Sequence, residues 1–264
     1  MASLVYEKTA VNTVKRMGKE RGNYDYKNVH SIVNSCPVVH VSFNPIAADD
    51  PFPAVLPMLG VTGSFASQDA DPAASEQDLY IHGYVGSRLM KQPSAGGDDQ
   101  GTPVTVAATF MDGLVLALTP NHHSCNYRSA VVFGYASLVT DEAEKLYALE
   151  LITNNMIPNL WANCRVPPNK TEMTSTTILR VKISHASAKI RNGGPSEDRH
   201  DAKDEALRKR VWTGVVPSWT QWGEPIPAKA TLVEETPGHI EGWRAVANRD
   251  GRVSAYEAAV EKEK

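Results

Sequence analysis

The densest group of side chains able to do chemistry lies in the stretch Asn121-His122-His123-Ser124-Cys125-Asn126-Tyr127-Arg128-Ser129. Histidine suits proton transfer near neutral pH, so His122 and His123 are the candidate catalytic acid or base. A turn histidine can equally be a hydrogen-bonding surface residue. Adjacent strand residues point to opposite faces, so both imidazoles could serve one metal ion only if the backbone bends. Because the sequence has no Cys-x-x-Cys or His-Glu-x-x-His spacing beside them, we expect no metal site.

A second group, Gly83-Tyr84-Val85-Gly86-Ser87-Arg88, follows a strand-like run and precedes an expected short helix. Glycine lets the backbone approach a ligand closely, and the Ser87 hydroxyl can donate a hydrogen bond. Arg88 can bind phosphate in bidentate fashion near a helix N-terminus. The stretch therefore predicts a phosphate cradle. The alternative is an ordinary Gly/Ser turn followed by a solvated arginine.

The histidine stretch and the Ser87-Arg88 stretch both lie beside runs of residues that are typical of β-strands, so strands must position them. Several β segments follow one another with little helix between them, which indicates an antiparallel meander that closes into a barrel. Asp112-Gly113 interrupts one run and is a hairpin signal. The predicted strands are Val38–Phe43, Ala54–Gly60, Asp78–Gly83, Pro103–Phe110, Leu114–Leu118, Ala130–Val139 and Ile178–Ile183.

Helices are expected at the periphery of this barrel. Asp25 can cap a helix that reaches about Ser35, and a charged helix is expected near 201–211. Between Asp141 and Met156 the apolar residues recur at helical spacing, so one helix should cover the barrel. These residues are Ala143, Leu146, Leu149, Ile152 and Met156.

The order of these segments predicts three parts. Residues 1–23 form an N-terminal helical extension, and residues 24–227 form the barrel domain. The barrel domain ends with the Trp/Pro-rich segment 211–227, and residues 228–264 form a C-terminal tail.

The composition of the chain limits which partners it can bind and in which cellular compartment we expect it. The chain has 264 residues, 42% of them hydrophobic, and a net charge of -3, so we expect neither nucleic acid nor an anionic membrane as a partner. No run is long and apolar enough to span a bilayer, and the polar start of the chain does not resemble a signal peptide. Three widely spaced cysteines favour reduced thiols, and we expect a cytoplasmic protein.

The order of motifs resembles the pyridoxamine 5'-phosphate oxidase-like flavin-binding split β-barrel family. The similarity begins with Tyr80-Ile81-His82-Gly83 and Gly86-Ser87-Arg88, and continues with His122-His123-Ser124, Asn126-Tyr127-Arg128-Ser129 and Val211-Trp212-Thr213-Gly214-Val215-Val216-Pro217. The chain is most similar to the flavin-nucleotide-binding branch, which is related to nitroimidazole-resistance proteins. This resemblance implies a mainly β fold with peripheral helices, a six-stranded antiparallel split barrel with Greek-key-like connections. It also implies a homodimer that binds FMN, or alternatively FAD, at the subunit interface.

The family's functional residues carry over position by position. Ser87 and Arg88 match the pair that holds the flavin phosphate, and His82 and Gly83 lie in the strand that leads to it. Tyr127, Arg128 and Ser129 match the strand start beside the flavin. Leu89, however, occupies the place of a phosphate-binding lysine in the vitamin B6 oxidases, and we do not expect that reaction.

The resemblance implies a flavin-dependent oxidoreductase that acts on a small organic metabolite. One alternative is a carrier that binds flavin or haem without catalysis, since relatives of the split barrel include haem-binding proteins. Another is a split-barrel enzyme that has lost its flavin and does non-redox chemistry.

Overall fold

A computed structural model describes residues 4–14, 21–45, 50–95 and 101–260 of the chain. Within the described residues, eight strands lie between Gly22 and Arg191, and the longest helix lies near the C-terminus. The strands are β1 (Gly22–Asn23), β2 (Val39–Phe43), β3 (Ala54–Met58), β4 (Gly60–Gly63), β5 (Asp78–Tyr84), β6 (Thr102–Leu116), β7 (Ser124–Leu138), β8 (Thr176–Arg191) and β9 (Gly214–Pro217). The helices are α1 (Tyr26–Ser35), α2 (Arg88–Ala95), α3 (Glu142–Met156), α4 (Lys170–Ser175), α5 (Glu205–Arg210) and α6 (Gly238–Ala259).

One sheet contains all nine strands of the described residues, in the order β3-β2-β6-β7-β8-β5-β4. The short strand β1 pairs with β8, and β9 pairs with β6. The pairs β2–β3, β2–β6, β4–β5, β5–β8, β1–β8 and β6–β9 are antiparallel. The six strands expected from the resemblance are thus too few: β1 and β9 are additional short strands, and the predicted run Ala54–Gly60 divides into β3 and β4.

The chain divides into two compact units. Unit 1 comprises Met1–Thr109 and Ser129–Lys189, and unit 2 comprises Phe110–Arg128 and Ile190–Lys264. The domain limits at residues 23 and 227 stay a prediction.

The hairpin predicted at Asp112-Gly113 is wrong, because β6 runs through both residues without a turn. Asp112 is 3% exposed and forms an ion pair with Arg128. Gly113 is needed for a close approach of β9, since a Cβ there would lie 2.8 Å from the carbonyl oxygen of Val216. The Asp-Gly pair is therefore explained here by contacts with neighbouring segments of the chain, and not by a turn.

In unit 1, α3 packs on the sheet through a polar contact that the apolar spacing did not predict. Its N-cap is Asp141, and its buried residues are Glu144, Ala148 and Ile152. The Tyr80 hydroxyl donates a hydrogen bond of 2.9 Å to Glu144, and burial raises the pKa of Tyr80 above its ordinary value. The predicted apolar face is therefore shifted, since only Ile152 of its five members is buried and Met156 is 49% exposed. The core around this contact consists of Val61, Tyr80, Val139, Ala148, Ile152 and Ile178.

The two ends of the chain also differ from expectation. The helical extension predicted for residues 1–23 is not seen in residues 4–14, where Val5 instead bridges to Asp25; residues 1–3 and 15–20 lie outside the described residues. Asp25 caps α1 as predicted. The tail contains the 22-residue helix α6, in which only the small residues Ala255 and Ala258 are buried. Across the described part of the chain, no helix combines the length and apolar character that a membrane span requires.

Candidate cofactor site

The predicted phosphate cradle lies at the end of β5 in unit 1. The chain turns after Tyr84, whose carbonyl oxygen accepts a hydrogen bond of 2.9 Å from the Ser87 N–H. Helix α2 then begins at Arg88 and runs for eight residues. Its second and third residues, Leu89 and Met90, are 0% and 3% exposed and anchor the helix in the core. Serine and arginine are thereby fixed at the start of a helix, where backbone N–H groups favour an anion.

The Ser87 hydroxyl is the group of this turn that could bind a phosphate. Its oxygen is buried and has no hydrogen-bond partner among the described residues. A buried hydroxyl is normally paired, and an unpaired one costs about 1–3 kcal/mol. A phosphate oxygen at this position would supply the missing acceptor.

Arg88 follows Ser87 in sequence, and its guanidinium is exposed at the same turn. Its side chain is 62% exposed, and Nη1 lies 2.7 Å from Oδ2 of Asp50. An exposed ion pair of this kind contributes little stability, so a phosphate could replace the carboxylate as partner. Leu89, by contrast, is fully buried and presents no group to a phosphate.

His82 and Gly83 precede the cradle on β5. Burial lowers the pKa of His82, so its imidazole is neutral at pH 7. None of the described residues hydrogen-bonds to that ring. Gly83 serves packing, since a Cβ there would lie 2.6 Å from the methyl carbon of Met90 and 3.3 Å from that of Met58.

In unit 2, the backbone bends in a single turn of 3₁₀ helix, Pro120–His122, and places the two adjacent histidines in different environments. The His122 ring lies 3.7 Å from a carboxylate oxygen of Glu197 and 3.8 Å from one of Asp198. The Ala117 N–H donates a hydrogen bond of 3.0 Å to Nδ1 of His123. The described residues contain no group of three or more His, Cys, Asp or Glu that could hold a metal ion.

The strand start after these histidines is held by protein contacts. Arg128 donates two hydrogen bonds, of 2.9 and 2.8 Å, to the carboxylate of Asp112, and its guanidinium lies 4.7 Å from the centre of the Phe110 ring. In unit 1 the Ser129 hydroxyl donates a hydrogen bond of 3.2 Å to the carbonyl oxygen of Lys189. Tyr127 is half-buried. The flavin contacts predicted for Tyr127, Arg128 and Ser129 stay predictions.

Sequence reasoning missed the acidic partners of these basic residues. Asp50 faces Arg88, Asp112 faces Arg128, and Glu197 faces His122. Glu197 is 75 residues from His122 in sequence, so no local spacing could connect the two.

The chain matches the family model described as pyridoxamine 5'-phosphate oxidase over residues 25–190. This match covers more than half of the sequence. The chain belongs to the pyridoxamine 5'-phosphate oxidase family.

Two solved structures are similar to this member of the family. The FAD and heme binding protein from Mycobacterium smegmatis is 26% identical with a TM-score of 0.68, and the similarity covers 85% of this chain and 97% of that one. The flavocytochrome Anf3 from Azotobacter vinelandii is 27% identical with a TM-score of 0.69, and the coverage is 89% and 97%. No curated protein sequence matches significantly. The expected family and its mainly β split-barrel fold class are confirmed.

Proposed function

We propose that this protein is a flavin-dependent oxidoreductase whose flavin phosphate binds at Ser87 and Arg88. The observation that carries the proposal is the buried, unpartnered Ser87 hydroxyl at the start of α2, in a chain of the pyridoxamine 5'-phosphate oxidase family. When bound, a flavin supplies hydride or electron transfer to a small organic substrate. The vitamin B6 reaction is not proposed, because the buried Leu89 replaces the family's phosphate-binding lysine.

The chain's own residues would hold the phosphate in a defined way. The Ser87 hydroxyl would donate one hydrogen bond, and the Arg88 guanidinium would add charge-assisted ones. Asp50 would compete with the phosphate for Arg88, because its carboxylate forms an ion pair with that guanidinium. FMN, the form implied by the sequence resemblance, stays a prediction; the FAD-binding structural neighbour makes FAD the other form to test.

Replacing Arg88 by alanine is expected to weaken flavin affinity by about 1.5–3 kcal/mol, or roughly tenfold to a hundredfold, because a charge-assisted contact is lost. The fold should be unchanged, since the side chain is 62% exposed. Calorimetric titration of flavin-free protein with FMN and with FAD measures the change. Lys91→Ala, which removes an exposed cation from the same helix, is the matched control and should bind as the wild type does. Equal affinities for Arg88→Ala and wild type would remove Arg88 from the site.

Haem is a second candidate ligand of the same protein. Two structural neighbours support it, since one is named as binding FAD and heme and the other as a flavocytochrome. A histidine binds haem iron through a neutral imidazole, and His82 fits this requirement because burial lowers its pKa. The case for haem binding by this chain therefore depends on the neutral imidazole of His82 as a possible iron ligand.

The absorption spectrum of the purified protein tests both ligands at once. Flavin bands and a Soret band are expected together, and His82→Ala should remove the Soret band while the flavin bands remain. His40→Ala is the control, since His40 is exposed on β2. A wild-type spectrum without a Soret band after reconstitution with haem would exclude this second candidate.

We also propose that the protein is a homodimer with the cofactor at the subunit interface. It is supported by exposed apolar residues near β3, the strand at one end of the sheet. Phe52 is 74% exposed and Val55 on β3 is 57% exposed. Edge strands of this kind are commonly covered by a partner. Light scattering of the cofactor-loaded protein should give twice the mass of one chain, and a loaded monomer would contradict the dimer.

A further inference from the structure

Unit 2 contains a cleft of about 760 Å³ that the flavin proposal does not use. Its apolar wall includes Leu118, Val211 and Trp212, and its charged groups come from Glu197 and from Glu205, Arg208 and Lys209 of α5. Small-molecule sites have volumes of roughly 300–1,000 Å³. The cleft is thus large enough for a compact organic ligand.

Trp212 gives the cleft a fixed aromatic surface. The residue is 65% exposed, which is unusual for a tryptophan in a folded chain. The ring lies directly over the backbone of Gly214, where a Cβ would be 2.7 Å from Cη2 and 2.8 Å from Cζ2. Gly214 is in turn held by pairing of β9 with Leu116 on β6. The Trp-x-Gly spacing therefore keeps the indole seated on β9 while much of it remains accessible.

Arg208 is the cation that is available to a ligand in this cleft. Lys209 is compensated by Glu205, whose carboxylate oxygen lies 3.3 Å from Nζ. Glu197 accepts a hydrogen bond of 3.0 Å from the Leu118 N–H and faces His122 through its other oxygen. Within the described part of the chain, the exposed Arg208 guanidinium has no hydrogen bond or ion pair. Its positive charge is therefore left for an anion.

We propose that this cleft binds a planar aromatic molecule that carries an anionic group. The aromatic ring would stack on Trp212, and the anionic group would pair with Arg208, a combination of stacking and charge-assisted bonding that neither group provides alone. The proposal does not depend on flavin binding at Ser87 and Arg88.

Titration calorimetry with three probes tests both halves of this recognition. Naphthalene-2-sulfonate, which has the ring and the anion, should bind saturably. The uncharged 2-naphthol and the non-aromatic cyclohexanesulfonate should each bind at least about tenfold more weakly. Equal affinities for naphthalene-2-sulfonate and 2-naphthol, or no saturable binding of the sulfonate, would overturn the proposal.

Variants locate the bound probe. Arg208→Gln and Trp212→Leu should each weaken naphthalene-2-sulfonate binding by about tenfold or more. Arg210→Gln is the matched control for charge, since Arg210 is exposed on the same helix and does not line the cleft. Trp222→Leu is the control for loss of an indole, because Trp222 packs against Trp243 instead. Unchanged affinity in both cleft variants would place the probe elsewhere and contradict the assignment.

A competition experiment separates this cleft from the flavin site. Saturating FMN or FAD should leave probe binding unchanged, and Arg208→Gln should leave flavin affinity unchanged. If flavin displaced the probe and Arg208→Gln weakened flavin binding as Arg88→Ala is expected to, the cleft would be part of the flavin site and the separate site would be disproved.

Discussion

Replacing Asn126 by alanine is expected to lower the free energy of unfolding by about 3–5 kcal/mol, because it removes three hydrogen bonds of a buried side chain, one of them to a charged guanidinium. Asn126 is 0% exposed, and its Nδ2 donates hydrogen bonds of 3.1 Å to Gly193 O and 2.9 Å to Ala258 O. Its Oδ1 accepts a hydrogen bond from Arg191, which is 6% exposed. The loss would thus strip a partner from a buried guanidinium as well as from two carbonyl groups.

This contact fastens the C-terminal helix within unit 2. Ala258 lies in the last turn of α6, and its carbonyl oxygen also accepts a hydrogen bond of 2.8 Å from the Gly193 N–H. Elsewhere α6 packs through Tyr256 on Trp219 and through Trp243 on Trp222, so the Asn126 contact holds the last turn of the helix and not its whole length.

Urea denaturation followed by circular dichroism measures the predicted loss for Asn126→Ala. Asn121→Ala is the matched control, since Asn121 is exposed in the same stretch of sequence and should change stability by no more than about 0.5 kcal/mol. Equal midpoints for the two variants would show that the buried contacts contribute far less than we infer.

The stretch that contains Asn126 shows what sequence reasoning can and cannot separate. The sequence predicts catalytic or flavin-binding roles for His122, His123, Tyr127, Arg128 and Ser129, and includes Asn126 only as part of the motif. The structure assigns Asn126 to the interior, where an amide satisfies carbonyl groups of residues 67 and 132 positions away. Nothing in the nine-residue stretch itself distinguishes such an asparagine from one that contacts a ligand.

Local features were predicted well because their causes are local. Asp25 accepts a hydrogen bond from the Asn28 N–H, as the predicted N-cap residue should. The strand end, turn and helix start within Tyr80–Met90 are local in the same way and lie where predicted, whereas phosphate binding there stays a prediction.

The errors arise where a distant segment decides the local structure. Gly113 stays in a strand because β9, about 100 residues later in sequence, passes close to it. The inward face of α3 is shifted because Glu144 meets Tyr80 and Arg180. Periodicity counts apolar residues and therefore misses a carboxylate that is buried with partners.

Mutating His122 and His123 tests whether the protein catalyses a reaction or only carries a cofactor. If one of them is the acid or base, alanine at that position should preserve flavin binding and lower turnover by about 10²–10⁴-fold, the usual contribution of such a group. The structure gives the two residues different capacities. His123 accepts a hydrogen bond at Nδ1, so its neutral form carries the proton on Nε2. His122 faces Glu197 and Asp198, which would pair with it once it is protonated.

Stopped-flow reduction of the bound flavin by nicotinamide donors, followed by reoxidation with small organic acceptors, measures both half-reactions in His122→Ala and His123→Ala. His200→Ala is the matched control, because that side chain is 94% exposed. A large loss in one variant, with flavin affinity unchanged, would identify that histidine as the catalytic group. A wild-type flavin that no donor reduces, or a reduced flavin that reaches no acceptor yet exchanges readily, would contradict the oxidoreductase and favour the carrier. We expect the oxidoreductase, because His122 beside two carboxylates in a turn offers proton-transfer chemistry that storage of a cofactor does not require.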